Sequence, residues 1–207
     1  MGQYYKVALK IGSEKIGIYE NDECRKLTEF SWCGNRFSDF IASRLFKNKG
    51  RVAWIGDYSE IRDDDDHDTE QKNINFLCKN GILTKGRINS LYRSAWQTER
   101  TGKWQVVDFD FKGKFILNHD KRQFLDCDKY LQNSQDKDGW ILSPLAMLTA
   151  IGNGKGGGDF YSDDSEMVDN IGVWAWHELE IVDYNPIKDK EAYPTWREVE
   201  FKFIERA

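Results

Sequence analysis

Apolar residues recurring at every second position, in runs too short for anything but strands, set the frame into which this chain must fold. Tyr5, Val7, Leu9 and Ile11 alternate with Lys6, Ala8 and Lys10, break at Gly12-Ser13 and resume at Ile16 and Ile18. That pattern predicts a β-hairpin with a two-residue turn. Val107, Phe109 and Phe111 alternate up to a Lys112-Gly113 turn, residues 114–118 return, His119-Asp120-Lys121 turns again, and residues 123–126 follow. A three-stranded meander is expected there. Residues 51–55 read as a short strand before Gly56-Asp57. Late in the chain, Val173, Ala175, His177, Leu179 and Ile181 share one face of a strand, and Val199, Phe201 and Phe203 share a face of another.

Helical stripes are fewer. Ser38 is placed to cap a helix carrying Phe40, Ile41 and Leu45 on one side and ending at Lys47, Lys49 and Gly50. Two more are expected at 70–80, with Ile74, Leu77 and Cys78 inward, and at 87–97, with Ile88, Leu91, Tyr92, Ala95 and Trp96 in register. Ser143-Pro144 opens a two-turn helix over 145–151, stopped by Gly152. The expected fold is therefore α+β: an antiparallel β-sheet of hairpins and a meander, with three or four short helices. Nothing reads as a linker, so residues 1–207 are expected to form one domain.

A chain of 207 residues can bury a core without staples. Cys24, Cys33, Cys78 and Cys127 form no C-x-x-C pair, so neither a zinc site nor a redox dithiol is expected, and no cofactor or metal is called for. There is no apolar run of signal-peptide or membrane-span length, which points to a cytoplasmic protein with no membrane partner. The net charge of −5 is unevenly spread. Residues 60–70 carry seven acids against Arg62, and residues 159–169 carry five acids and no base, which leaves a weakly basic remainder. Such a dipolar surface bears on partner choice.

Four features carry the functional argument. The run Gly152-Asn153-Gly154-Lys155-Gly156-Gly157-Gly158-Asp159 has the backbone freedom to aim amides at an anion, so Gly154, Lys155, Gly156, Gly157, Gly158 and Asp159 are candidate ligand-binding residues for a nucleotide or phosphorylated molecule. Phosphate loops, however, lead into helices, and this one trails a helix end and precedes an acidic stretch with no helical stripe, so no ready anion cage is expected. Asp63, Asp64, Asp65 and Asp66 beside His67 read as a hydrated acidic loop able to meet a basic partner, not as a calcium loop. Among the three histidines, His177 has the sequence context of a half-buried core residue; if an enzyme is at hand, Asp159 and His177 are its acid/base candidates. Finally, of eight tryptophans, Trp174 and Trp176 fall opposite His177 on their strand, where an uncovered face would present aromatic hot spots to a protein partner. The basic residues are scattered and do not interleave with the aromatics, so nucleic acid is not the expected partner.

Several pieces stand out together: the opening Met1-Gly2-Gln3-Tyr4-Tyr5, Trp54-Ile55-Gly56-Asp57-Tyr58, the hairpin Asn118-His119-Asp120-Lys121-Arg122-Gln123-Phe124, and Pro144-Leu145 leading into the glycine run. The set resembles a family of uncharacterised bacterial and phage-encoded proteins that begin MGQYY and carry an N-H-x-K hairpin and a G-N-G-x-G-G-G-D loop. Trp174-Ala175-Trp176-His177 departs from it, standing where a W-A-G-D-like segment is expected. The resemblance implies that the glycine loop and Asp159 matter, and brings no activity. The reading that follows is a non-enzymatic macromolecule-binding protein, such as a phage-type inhibitor or accessory factor. The alternative is an enzyme or sensor for a phosphorylated ligand at residues 152–159.

Overall fold

A computed structural model describes residues 2–21, 26–57, 104–188 and 193–204. The expected helices at 70–80 and 87–97, the acidic run Asp63, Asp64, Asp65 and Asp66, and Cys24 and Cys78 lie outside the described residues. The fold is α+β: a mostly antiparallel mixed sheet of eight strands and, among the described residues, five helices.

The strands are β1 (Tyr5–Ile11), β2 (Gly17–Tyr19), β3 (Gly50–Gly56), β4 (Phe115–Asn118), β5 (Gln123–Asp126), β6 (Ala150–Ile151), β7 (Glu178–Val182) and β8 (Arg197–Val199). The helices are α1 (Leu27–Phe30), α2 (Arg36–Leu45), α3 (Cys127–Asn133), α4 (Pro144–Thr149) and α5 (Ser165–Asp169). Strand order is β2-β1-β3-β7-β4-β5-β8, with β6 paired parallel to β3 through Trp54↔Ala150 and Ile55↔Ile151. The other parallel pair is β5 with β8.

Period-two patterning held in β1, and not over residues 107–111 or 173–177. Tyr5, Val7 and Leu9 of β1, Val52 and Trp54 of β3, Leu179 and Ile181 of β7 and Ile116 of β4 bury into one core under α2 and α4. Phe37, Ile41 and Leu45, four apart on α2, supply the facing stripe. Each such side chain contributes about 1.5–3 kcal/mol by leaving water. The opposite face carries two smaller clusters, one around Ala8, Ala53, Ile55 and Trp176 and one around Phe115, Leu117, Phe124 and Val182, against which Tyr193 and Trp196 pack.

Departures from the expected elements come from partners that periodicity does not record: distant strands, local side-chain caps and ring contacts. The first hairpin closes through residues 12–16 rather than a two-residue turn, because Leu9 pairs with Gly17. Asn35, not Ser38, caps α2, accepting on Oδ1 from the amides of Phe37 (3.0 Å) and Ser38 (3.3 Å), while the Ser38 hydroxyl donates to the Phe30 carbonyl. The meander has two strands, not three. Residues 104–111 form no ladder and lie over the core by ring contacts, Trp104 on Phe37 and Phe109 on Phe46 and Phe111, and β7 occupies the edge of β4 instead. α4 stops at Thr149 because Ala150 and Ile151 join β3. Residues 160–170, expected to be irregular, hold α5, capped by Asp164.

The segment before β7 is a turn, not a strand. The amides of Gly172 and Trp174 donate to the Met147 and Leu148 carbonyls of α4, and that of Trp176 donates to Val52 of β3. Trp176 reaches its place with a left-handed φ of 60°, and Trp174 and Trp176 are each 1% exposed. The expected aromatic partner face at these two residues is therefore corrected: both rings are core. Among the described residues no helix is long and apolar enough to cross a membrane.

Candidate functional site

The glycine loop contains an anion cradle after all, and the chain fills it. The loop leaves β6 rather than a helix, and the amides of Lys155 (2.8 Å) and Gly156 (2.9 Å) converge on Oδ2 of Asp159, while Oδ1 accepts the Tyr5 hydroxyl at 2.9 Å. Asp159 is 2% exposed. A carboxylate accepting three donors supplies the negative charge that such a nest favours. Gly157 and Gly158 are used for docking. The Gly157 carbonyl accepts from the Gln3 amide, and the Gly158 carbonyl accepts from both the amide and the hydroxyl of Thr28. Gly158 has φ +88, and a Cβ there would stand 2.2 Å from Lys26 Cδ, so only glycine fits. Asn153 closes the loop by exchanging two hydrogen bonds with the backbone of Phe160.

The MGQYY opening meets both neighbouring motifs at this corner. Gln3 donates from Nε2 to the Gly152 carbonyl, and Tyr4 and Asp57 exchange amide bonds, one of them to the Asp57 carboxylate. A Cβ on Gly56 would lie 1.8 Å from Gln3 Nε2, which explains the glycine of the W-I-G-D segment. Burial, and to a lesser degree the charge of nearby Asp159, raises the Asp57 carboxyl above its usual range.

The N-H-x-K hairpin is a second latch. Asn118 Oδ1 accepts the Lys121 amide, so its Nδ2 donates to His177 Nδ1 at 2.9 Å. Asp120 takes Arg51 through both oxygens and also accepts the Glu178 amide, and His119 meets Glu180 at 3.0 Å with its ring against Trp196. Nδ1 of His177 is thus an acceptor and the proton sits on Nε2. Burial first, then Lys121, holds this imidazole down at about 4. Asp159 and His177 are not brought together. Tyr5, which holds Asp159, pairs with Gly56, whereas Glu178, next to His177, pairs with Arg51, five residues back along β3. That is roughly 17 Å.

Among the described residues a groove of about 740 Å³ opens between the α1–α2 connection and the loop before α4. Trp32 and Trp140 form its aromatic part, with centroids 5.6 Å apart at 62°. Trp140 is 58% exposed, an unusual state for a tryptophan. Its backbone is held by hydrogen bonds and its ring rests on Trp32. Asp136 accepts the amides of Asp138 and Trp140 on Oδ1, the backbones of Asp136 and Trp140 bond in turn, and the Trp32 indole donates to the Thr28 carbonyl. Glu29, Asp136 and Asp138 border the groove against Lys137. Cys33 lines it too, but burial, with Asp39 and Asp110 nearby, pushes its thiol up to about 12, and its Sγ–H donates to the Leu142 carbonyl. A thiol so held is no nucleophile near neutral pH.

Sequence reasoning passed over Trp32 and Trp140. The available signal was a tryptophan placed directly after the turn residues Asp136-Lys137-Asp138-Gly139, outside any apolar period. Among the described residues no group of three or more His, Cys, Asp or Glu side chains is arranged to hold a metal ion. No family model matches the chain, and neither a curated protein nor a solved structure is similar to it.

Proposed function

We propose that this protein is a non-enzymatic binding protein, and that the Trp32–Trp140 groove is where a macromolecular partner docks. The observation that carries the reading is Trp140: a large ring, more than half exposed, edge-packed on a second tryptophan and fixed by backbone hydrogen bonds beside a groove. Accessible tryptophan is among the residue types richest at binding hot spots, because it brings large contact area with few rotatable bonds to order. Resemblance to phage-encoded proteins makes an inhibitor or accessory factor the natural setting. The phosphorylated-ligand alternative is disfavoured because two donors of the glycine loop, the amides of Lys155 and Gly156, are spent on Asp159.

The test replaces Trp140 with the photo-crosslinking residue benzoylphenylalanine in native-cell lysate, with Ile187, also exposed, as the control position. A discrete adduct from position 140 and none from position 187 is expected. No adduct, or the same adducts from both, refutes the groove as a docking site.

A further inference from the structure

The chemistry of the partner is written in the charge along this surface. Beyond Ile204, which lines both, the first groove is followed by a second of about 520 Å³, floored by Met167 and Phe201. Together they are bordered by six carboxylates, Glu29, Asp136, Asp138, Asp164, Glu166 and Glu200, against Lys137 and Lys202. Glu29 already faces Lys26 at 3.2 Å, which leaves the excess on the other five. Two of these are held in place by the backbone: Asp136 accepts two amides on Oδ1, and Asp164 caps α5 by accepting those of Glu166 and Met167. Fixed charges spend no ordering entropy when a counter-charge arrives. Among the described residues no lysine or arginine lies over the ring of Trp140, the best side chain for receiving one.

Resting on the reading of the first groove as a docking site, we infer that the two grooves form one track for an extended, basic peptide segment of a protein partner. An arginine or lysine of that segment lays its cationic head on Trp140, with Asp136 and Asp138 as counter-charges. Basic residues further along meet Asp164, Glu166 and Glu200, and the intervening backbone crosses Ile204. A single groove of this size suits a small molecule, whereas two that adjoin at Ile204 suit a chain that advances about 3.3 Å per residue. An anionic partner would have to overcome like-charge repulsion along the whole track.

Fluorescence anisotropy tests this with a fluorescein-labelled peptide of alternating arginine and glycine, about ten residues long, and its counterpart with glutamine for arginine. The arginine peptide should bind, weaken steadily between about 50 and 300 mM salt, and lose about tenfold in affinity to Trp140→Ala, the weight of one cation–π contact. Asp138→Asn with Glu200→Gln, both at exposed positions, should flatten the salt dependence. Equal binding of the glutamine peptide would overturn the basic partner and leave the docking site standing. Arginine-peptide binding indifferent to Trp140→Ala would place the charge effect on another surface and also overturn it. Displacement by spermidine at equal charge concentration would make the ligand a small polyamine instead of a peptide. A Trp140-dependent dimer seen in sedimentation, without peptide binding, would give the track to a second copy of the chain. If neither peptide binds while position 140 still crosslinks a partner, this inference alone fails; if the crosslink is absent as well, the function fails with it.

Discussion

Replacing Asp159 by alanine should cost this protein a large part of its stability and, in the same step, empty an anion site. The carboxylate accepts from the Tyr5 hydroxyl and from the amides of Lys155 and Gly156 at 2.8–2.9 Å, and it is 2% exposed. Each buried donor left without an acceptor costs about 1–3 kcal/mol. Lys155 is only partly buried, so water takes over some of its loss, and the sum is about 3–5 kcal/mol. For a chain of this size that lowers Tm by about 10 °C. Asp159→Asn, which keeps one acceptor but no charge, should fall about halfway. The assay is urea denaturation of wild type and both variants, with hydrogen exchange at the amides of residues 155 and 156. Sulfate supplies the decisive arm. In Asp159→Ala the cradle is vacant, so sulfate at ten times its Kd should return about 1.4 kcal/mol beyond the general salt stabilisation it gives wild type. The reasoning is refuted if Asp159→Ala unfolds within about 0.5 kcal/mol of wild type with both amides equally protected, a change typical of an unremarkable surface site.

Three further outcomes are expected. Gly158→Ala, which combines φ +88 with a Cβ 2.2 Å from Lys26, should cost clearly more than Gly154→Ala, which has φ +87 but open space; strain at positive φ alone is about 1–2 kcal/mol, and equal urea midpoints would contradict the close approach. Burial, with Asp108 and Asp110 adding to it, raises Asp39 to about 6, so its folded form prefers the proton; stability on this account is whole below about pH 4 and is lost as pH rises through 6. Asp39→Asn should match wild type near pH 4 and exceed it by on the order of 1–2 kcal/mol at pH 7, and a difference that does not grow with pH refutes the assignment. His177 works in the opposite sense: the unfolded imidazole takes a proton below about 6.5 and the folded one not until about 4, so stability rises with pH across that window. NMR should find His177 neutral with the proton on Nε2 at pH 6; titration near 6.5 would show that the Asn118 hydrogen bond does not hold.

The motifs that stand out in the sequence turn out to be joints of the fold. MGQYY, W-I-G-D and the glycine loop meet through Gln3, Asp57, Tyr5 and Asp159, and the N-H-x-K hairpin binds β3 and β7 through Asp120 and His177. Unusual residue types were needed there because backbone approaches side chain too closely for a Cβ, or because an amide needs an acceptor that no ladder provides. The groove, by contrast, is lined by residues that no motif announces.

What the amino-acid order determined by itself is local. Alternation fixed β1 and its inward set, since neighbouring side chains on a strand must point to opposite faces; short apolar runs between turn residues marked β3, β4 and β5; the stripe of Phe40, Ile41 and Leu45 fixed the buried side of α2. Tertiary structure decided wherever a residue's partner lay far along the chain. Residues 173–177 carry a strand pattern, yet their amides found α4 and β3, and the segment became a turn that buries Trp174 and Trp176. Trp140 is chemically the same residue and stays more than half open, with the edge of Trp32 as its ring partner. Periodicity records what a side chain prefers; whether a tryptophan is core or contact surface depends on what packs over it, and that is set by the whole fold.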